Sequence, residues 1–342
     1  SDAMDGFKPL LGKLVDGRVL TPDEAHAFFS ACLRGEPTPS QVAAAVTALR
    51  IRGETVDEIV AFATAMREAA LSLDHPFDEV IDTCGTGGDG QHTYNVSTAA
   101  AFVLAGAGLK VAKHGNRAIS SKSGSSDVLA ALGVNLDATI PQQARALDQA
   151  GIAFLFAPTY HGAMRHVGPV RGEIGFRTVF NLLGPLTNPA FVKGQVLGVY
   201  DKDLTHLTAE VLMNLGCERA LVVHGEDGLD EISTTSRTYA SELKDGNIKD
   251  YTINPEDFDI KVSSMDDIAG GTAFENAKSI VEILKGGKGP KRDIVLLNSG
   301  AALYIGKASG SIAEGIDMAG EIIDSKKAYE KLQKAKAAYW SK

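Results

Sequence analysis

The stretch Asp82-Thr83-Cys84-Gly85-Thr86-Gly87-Gly88-Asp89-Gly90 indicates the fold of this chain most clearly. It follows a short apolar run that we predict to be a β-strand, and Asn95-Val96-Ser97-Thr98 opens an alanine-rich helix soon after it. Glycines let backbone amides approach an anion closely, and a helix N-terminus flanked by Ser and Thr suits a phosphate. The loop lacks the Gly-Lys-Ser/Thr of a Walker loop and the short glycine turn of a dinucleotide-binding fold. Taken alone, it could equally be a flexible turn before a capped helix.

Around this loop, short apolar runs alternate with helical patterns from His75-Pro76 onward. We predict strands at 79–82, 110–113, 153–156, 195–200, 220–224 and 294–298, and helices at 98–105, 126–131, 141–150 and 204–215. A turn at Asp245-Gly246 predicts an antiparallel hairpin, and the tail 312–340 is expected to form one or two helices. This alternation is typical of an α/β domain with a largely parallel sheet.

The residues before this region are predicted to be helical. Thr21-Pro22-Asp23-Glu24 places Thr at an N-cap, Pro at the first helical position and Glu at the third, and Thr38-Pro39-Ser40-Gln41 and Thr55-Val56-Asp57-Glu58 follow similar logic. The sequence therefore predicts an α/β protein with a small N-terminal helical domain at 4–75, to which about 168–190 contributes later. A larger α/β domain with a mostly parallel central sheet is expected at 76–342.

Composition argues against several classes of function. The 342 residues are 44% apolar and 23% charged, which is ordinary for a globular protein. A net charge of −9 argues against general affinity for nucleic acid or membrane surfaces. The longest uncharged stretch, 96–109, is shorter than the roughly 20 residues that cross a bilayer, and no export signal is visible. Three cysteines without metal or pairing spacing suit a reducing cytoplasm.

A second polar loop, Lys113-His114-Gly115-Asn116-Arg117, follows the next predicted strand and continues into a serine-rich segment at 120–125. Ligands of such sheets bind at the carboxyl ends of the strands, so both loops are expected at one edge. That combination fits a phosphate and a pyrophosphate held apart on one sugar. A lone Lys113 would more often be solvated, and a lone His114 would more often be structural.

An acidic pair, Asp230-Glu231, follows the strand predicted at 220–224. Two adjacent acids in a loop can face the same side, which they could not do in a regular strand. Mg²⁺ is commonly bound by one or two carboxylates together with substrate phosphates. Judged by spacing alone, a solvated acidic loop is the more frequent case.

Together these motifs resemble the anthranilate phosphoribosyltransferase family. The resemblance is carried by 85–89, 95–98, 113–117 and Arg177-Thr178-Val179-Phe180-Asn181-Leu182-Leu183-Gly184-Pro185-Leu186-Thr187-Asn188-Pro189, and it runs over nearly the whole chain. It implies transfer of the 5-phosphoribosyl group from phosphoribosyl pyrophosphate (PRPP) to the amine of anthranilate, in the tryptophan branch. One departure is Gly162, where the family pattern has Pro after the residue that is His161 here.

The resemblance also implies site residues. Those for PRPP are Gly85, Gly88, Asp89, Thr93, Asn95, Val96, Ser97, Thr98, Lys113, His114, Gly115, Asn116, Arg117, Ala118, Ile119, Ser120, Ser121 and Ser125. Those for anthranilate are Gly85, Asn116 and Arg171, with His114 and Tyr160 as weaker candidates for the pocket wall. Ser97, Asp230 and Glu231 are implied as Mg²⁺ ligands, and a homodimer through the helical domain is implied as the assembly.

The expected mechanism uses no acid or base, because the aniline nitrogen is already unprotonated at neutral pH. Lys113 is expected to act electrostatically on the departing pyrophosphate. The nearest alternative is a pyrimidine nucleoside phosphorylase, which shares related loops but would not need the acidic pair. A non-catalytic nucleic-acid-binding paralogue is the other alternative, and the net charge of −9 counts against it.

Overall fold

The structure is a computed structural model that describes residues 2–87, 93–115 and 125–341. Its N-terminal part consists of the helices α1 (Asp2–Val15), α2 (Pro22–Leu33), α3 (Pro39–Arg52) and α4 (Val56–Ala69). The three predicted helix starts are confirmed. Thr21, Thr38 and Thr55 are N-caps, and each forms a complete capping box with the residue three positions later. Helix α1, which carries Pro9 inside it, was not predicted from the sequence.

In the described part of the chain, seven strands form one sheet in the order β3-β2-β1-β4-β5-β6-β7. They are β1 (Val80–Gly85), β2 (Lys110–Gly115), β3 (Ile152–Phe156), β4 (Gly194–Gly198), β5 (Arg219–Gly225), β6 (Thr238–Lys244) and β7 (Asn247–Ile253). Strands β1 to β5 run parallel, and the predicted hairpin supplies the antiparallel β6 and β7. The strand order reverses between β1 and β4. In open α/β sheets, such a switch point is where ligands bind.

The remaining helices cover the sheet and link its strands. They are α5 (Val96–Gly106), α6 (Ser125–Ala131), α7 (Ile140–Gln149), α8 (Ala157–Tyr160), α9 (Gly168–Ile174), α10 (Val179–Leu186), α11 (Leu204–Asn214), α12 (Ala273–Leu284), α13 (Pro290–Ile305), α14 (Ile312–Asp324) and α15 (Lys327–Trp340). Short 3-10 helices lie at Gly162–His166, Pro255–Phe258 and Met265–Ile268. The helices predicted near 98–105, 126–131, 141–150 and 204–215 are confirmed, and the tail forms two. No helix in the described part of the chain is long and apolar enough to cross a membrane.

The strand predicted at 294–298 was wrong, because these residues lie in the middle of α13. A five-residue apolar run does not distinguish a buried strand from a buried helix. Helix α13 is apolar on most sides because it packs between the sheet, α5 and α14. Its contact with α14 is very close, since a Cβ added at Gly300 would lie 2.5 Å from Ile316 Cγ1. Pro290 at the first helical position is the sequence signal for the start of this helix.

An apolar core joins the N-terminal helices to α9, α10 and one face of β4 and β5. The rings of Phe29 in α2 and Phe180 in α10 lie 5.9 Å apart within it. The segment around α9 and α10, although distant in sequence, therefore packs with the N-terminal helices. The division of the chain at residue 75 stays a prediction.

The C-terminal helix α15 covers the outer edge of the sheet at β3. The buried Tyr339 hydroxyl accepts a hydrogen bond from the Phe154 backbone N–H and donates one to the Phe154 carbonyl oxygen at 3.0 Å. Strand β3 is outermost, so these groups have no neighbouring strand on that side. One tyrosine side chain thereby satisfies both backbone groups of this edge residue.

Candidate active site at the switch point of the sheet

Two glycines mark the switch point of the sheet. Gly85 ends β1, Gly198 ends β4, and the two are partners in the parallel register. Asp230 lies directly against both, because a Cβ added at Gly198 would be 1.6 Å from the Asp230 carbonyl oxygen, and one at Gly85 would be 2.3 Å from Asp230 Oδ2 and 3.0 Å from its carbonyl oxygen. Any larger residue would push the loop away. The loop after β5 therefore returns across the carboxyl ends of β1 and β4.

The acidic pair reaches both flanks of the glycine loop. Asp230 Oδ2 accepts a hydrogen bond from the Gly87 backbone N–H at 2.8 Å, and Glu231 Oε1 lies 3.5 Å from Thr93 Oγ1. Both acids are half-buried. The structure thus brings the pair predicted as metal ligands to the loop predicted as the phosphate site.

The donor atoms present here fit Mg²⁺ in part. Within residues 2–87, 93–115 and 125–341, no group of three or more His, Cys, Asp or Glu could hold a metal ion. Asp230 and Glu231 supply carboxylate oxygens, and Ser97 supplies a hydroxyl oxygen. Mg²⁺ usually binds one or two carboxylates and completes its shell with water and substrate phosphates. A cation held here would therefore depend on a phosphorylated ligand.

The N-terminus of α5 opens toward the same edge of the sheet. Its N-cap, Asn95, adopts a left-handed conformation with φ 70° and ψ 55°, and its side chain does not cap the helix. Asn95 Oδ1 instead accepts a hydrogen bond from Asn276 Nδ2 of α12 at 2.9 Å. The first-turn N–H groups of α5 are therefore not capped by this side chain, as an anion site requires.

Lys113 lies next to the N-terminus of α5. Its buried ammonium donates to the Thr83 carbonyl oxygen at 2.8 Å and to Ser97 Oγ at 2.9 Å. Asp82 is buried nearby. Burial raises the pKa of its carboxyl, and the charge of Lys113 acts in the opposite direction. The structure therefore joins Lys113 and Ser97, which the sequence analysis placed in one site.

Two imidazoles lie side by side where β2 and β3 end. The rings of His114 and His161 are 5.1 Å apart, and they hydrogen-bond to the carbonyl oxygens of Gly184 and Thr187, each at 3.0 Å. Burial lowers the pKa of His114 to about 3 and that of His161 to about 4, so both rings are neutral near pH 7. His161 was not predicted as a site residue, because nothing in the local pattern shows that it meets His114.

Arg171, in α9, is the guanidinium predicted to bind a carboxylate. It is half-buried, and burial lowers its pKa. Across the described ranges the Arg171 side chain forms no hydrogen bond or ion pair. A partly desolvated arginine without a protein counter-charge is suited to a carboxylate ligand.

Three other residues on this side are placed as follows. Tyr160 is buried against α7, where its hydroxyl bonds Gln143, so it packs in a core cluster. The Arg177 guanidinium lies over the Tyr200 ring at 5.4 Å, which indicates a structural role. Gly162 is the first residue of a 3-10 helix, a position that also accepts Pro.

Several predicted site residues lie outside the described residues: Gly88, Asp89, Asn116, Arg117, Ala118, Ile119, Ser120 and Ser121. Of the others, Gly85, Thr93, Asn95, Val96, Ser97, Thr98, Lys113, His114 and Gly115 lie along β1, β2 and the start of α5, and Ser125 begins α6. Arg171, Asp230 and Glu231 come from α9 and the loop after β5.

Comparisons with known proteins agree with this architecture. The family model described as "Glycosyl transferase family, a/b domain" matches residues 78–329, and "Glycosyl transferase family, helical bundle domain" matches residues 8–70. The chain is 57% identical over 324 residues to the anthranilate phosphoribosyltransferase of Caulobacter sp. (strain K31), covering 95% of this chain and 93% of that protein. It is 55% identical over 320 residues to the one of Thermoanaerobacter sp. (strain X514), covering 94% and 95%.

Solved structures give the same result. The anthranilate phosphoribosyltransferase of Thermus thermophilus superposes with a TM-score of 0.92 at 44% identity, covering 97% of this chain and 99% of that one. The Saccharomyces cerevisiae enzyme in complex with PRPP and Mg gives 0.88 at 30% identity, covering 97% of each chain. The yeast enzyme in complex with 4-fluoroanthranilate gives 0.87 at 28% identity, covering 99% and 98%.

Proposed function

The chain belongs to the anthranilate phosphoribosyltransferase family of glycosyltransferases, and we propose that it transfers the 5-phosphoribosyl group of PRPP to the amine of anthranilate. The products would be N-(5-phosphoribosyl)anthranilate and pyrophosphate, in the second step of the tryptophan branch. The observation that carries the proposal is the Asp230–Glu231 loop, which lies across the switch point and contacts both flanks of the glycine loop.

We assign the donor side to PRPP. The glycine loop from Gly85, the N-terminus of α5 at 95–98 and the buried Lys113 meet at one edge of the sheet. Backbone N–H groups, hydroxyls and an ammonium are the groups that bind phosphate oxygens. Lys113 would stabilise negative charge on the departing pyrophosphate without transferring a proton. The yeast relative solved with PRPP supports this assignment.

We assign Asp230, Glu231 and Ser97 to a Mg²⁺ ion that binds together with PRPP. When bound, the cation would neutralise charge on the pyrophosphate leaving group. The acids lie beside the glycine loop, and all three residues offer hard oxygen ligands. The yeast relative solved with both PRPP and Mg supports the pairing of cation and donor.

We assign the acceptor side to anthranilate. Arg171 would bind its carboxylate through two parallel hydrogen bonds. Burial keeps the imidazoles of His114 and His161 neutral near pH 7, so they add no positive charge to the acceptor side. Anthranilate is an aniline, whose amine is already unprotonated at neutral pH. Positioning of the two substrates can therefore replace a general base.

Turnover should disappear when both acids lose their charge. We expect Asp230→Asn combined with Glu231→Gln to reduce the rate to background at ordinary Mg²⁺, because the amides retain the shape but bind the cation poorly. Loss of anthranilate fluorescence after adding PRPP and Mg²⁺ measures the rate, with EDTA as the control. Glu226→Gln, at an exposed position of the same loop, should retain activity. Full activity in the double variant would refute the metal role.

A parallel assay separates the proposed reaction from nucleoside phosphorolysis. Thymidine and inorganic phosphate are supplied in place of anthranilate and PRPP, and free base is measured. We expect none, because the acidic pair suits a pyrophosphate leaving group with its cation. Release of thymine without consumption of anthranilate would overturn the assignment.

We also propose a homodimer formed through the helical region, on the family resemblance, and a cytoplasmic location, on the cysteine pattern.

A further inference from the structure

The acidic pair is bracketed by two fully buried apolar side chains. Leu229 and Ile232 are inserted into the core, while Asp230 and Glu231 between them are half-buried. The direction in which the acids face therefore depends on how the backbone is held at both ends of this short segment. At the Asp230 end, close packing against Gly85 and Gly198 restricts the position of the backbone.

The Ile232 end of the segment is held by one side chain from helix α13. Asn298 is buried in α13, and its Oδ1 accepts a hydrogen bond from the Ile232 N–H at 3.0 Å. Its Nδ2 donates to the Ile232 carbonyl oxygen at 2.9 Å and to the Ile294 carbonyl oxygen of its own helix at 2.8 Å. Both amide hydrogens and the amide oxygen are therefore used.

This pattern cannot be reproduced by other side chains of the same size. A carboxylate would lose both donors, and an aliphatic side chain would leave the buried N–H and carbonyl of Ile232 without partners. Ser233 Oγ donates locally to Asp227 Oδ2 at 3.0 Å, and Asp230 and Glu231 contact the flanks of the glycine loop, whereas Asn298 contacts the same segment from a helix. Asn298 therefore ties the loop to the helical layer.

We propose that Asn298 is a positioning residue for the acidic pair. By fixing the backbone of Ile232, it holds Glu231 and Asp230 over the ends of β1 and β4, where the phosphorylated donor and its cation would meet them. This inference rests on the proposed function for its catalytic consequence. The contact between Asn298 and the loop does not depend on that function.

The first test measures the loop directly by amide hydrogen exchange of the ligand-free protein. Asn298→Leu should accelerate exchange selectively in residues 226–236. Leu297→Ala is the matched control, because it truncates a fully buried side chain of the same helix that makes no hydrogen bond to Ile232. It should lower the melting temperature without that selective effect. Unchanged exchange at 226–236 in the Asn298 variant would overturn the proposal.

The second test measures the consequence for the cation. At saturating PRPP and anthranilate, we expect Asn298→Leu to raise the Mg²⁺ concentration for half-maximal velocity about tenfold, with the KM for anthranilate within twofold of the wild type. An equal Mg²⁺ shift in Leu297→Ala would show a general packing effect and contradict the proposal. If Asn298→Leu does not fold, Asn298→Ser retains a hydroxyl and replaces it in both tests. A wild type that consumes no anthranilate would refute the proposed function, while exchange would still decide the positioning role.

Discussion

The donor side and the acceptor side of the site differ in how their cations are accommodated. Lys113 is buried and already bonded to Thr83 and Ser97, with Asp82 close by. Arg171 is half-buried, and in the described part of the chain no carboxylate or carbonyl oxygen compensates it. Lys113 is therefore bonded within the folded protein, whereas Arg171 can form its hydrogen bonds with a ligand. The two should respond differently to removal, in stability as well as in activity.

Removal of the donor-side cation should have the largest effect. We expect Lys113→Met to lower kcat/KM by about 10²–10³-fold, the range found when one preorganised electrostatic contact is removed. It should also lower the melting temperature, because Thr83 loses a buried donor and Asp82 loses its nearby positive charge. Lys110→Met, at the other end of β2, is the control for loss of a lysine. A fully stable, fully active Lys113→Met protein would remove the distinction between the two sides.

Removal of the acceptor-side cation should affect binding alone. We expect Arg171→Met to raise the KM for anthranilate about 10–100-fold, which corresponds to a charged hydrogen bond of about 1.5–3 kcal/mol. The melting temperature should stay the same or rise, because a desolvated charge is removed. Arg145→Met, on the exposed face of α7, is the matched control and should change neither value. A clear loss of stability in Arg171→Met would show that this arginine is also part of the framework.

The neutral imidazoles predict a smaller effect that depends on pH. The pKa of His161 is lowered to about 4 in the folded protein, whereas an unfolded histidine titrates near 6.5. The unfolded chain therefore binds a proton first. The contribution of this pKa difference to the free energy of unfolding is fully present above pH 6.5. It is lost as the pH falls toward 4, by up to about 1.4 kcal/mol per pH unit.

Urea unfolding at pH 6 and pH 5 checks this expectation. His161→Gln retains a donor for the Thr187 carbonyl oxygen but has no proton to gain, so its stability should fall less between the two pH values. His26→Gln, at a half-buried histidine in α2, is the control for replacing a histidine elsewhere in the chain. Equal pH slopes in the wild type and in His161→Gln would contradict the neutral, buried state of this ring.

Much of the fold could be predicted because its signals are local. Threonine caps, glycine turns and alternating apolar runs each lie within a few residues, and they predicted the N-terminal helices, most of the strands and the hairpin. The strand predicted at 294–298 failed because a helix buried on most sides carries no polar face. Helix α1 was missed because no capping residue was recognised before it.

The site was harder to predict because its decisive contacts join distant residues. The family resemblance selected Lys113, Arg171 and the acidic pair. No local pattern could show that Gly198 lies against Asp230, that Asn298 holds Ile232, or that His161 stands beside His114. Whether a cation is compensated by the protein is likewise a property of the folded chain, as Lys113 and Arg171 demonstrate.

The tyrosine near the end of the chain has a consequence for solubility. Tyr339 satisfies both backbone groups of Phe154 on the outermost strand of the sheet. An uncovered strand edge is a template on which other molecules can add strands. A chain shortened before this tyrosine would therefore self-associate along β3, and precipitation would precede any change in chemistry at the switch point of the sheet.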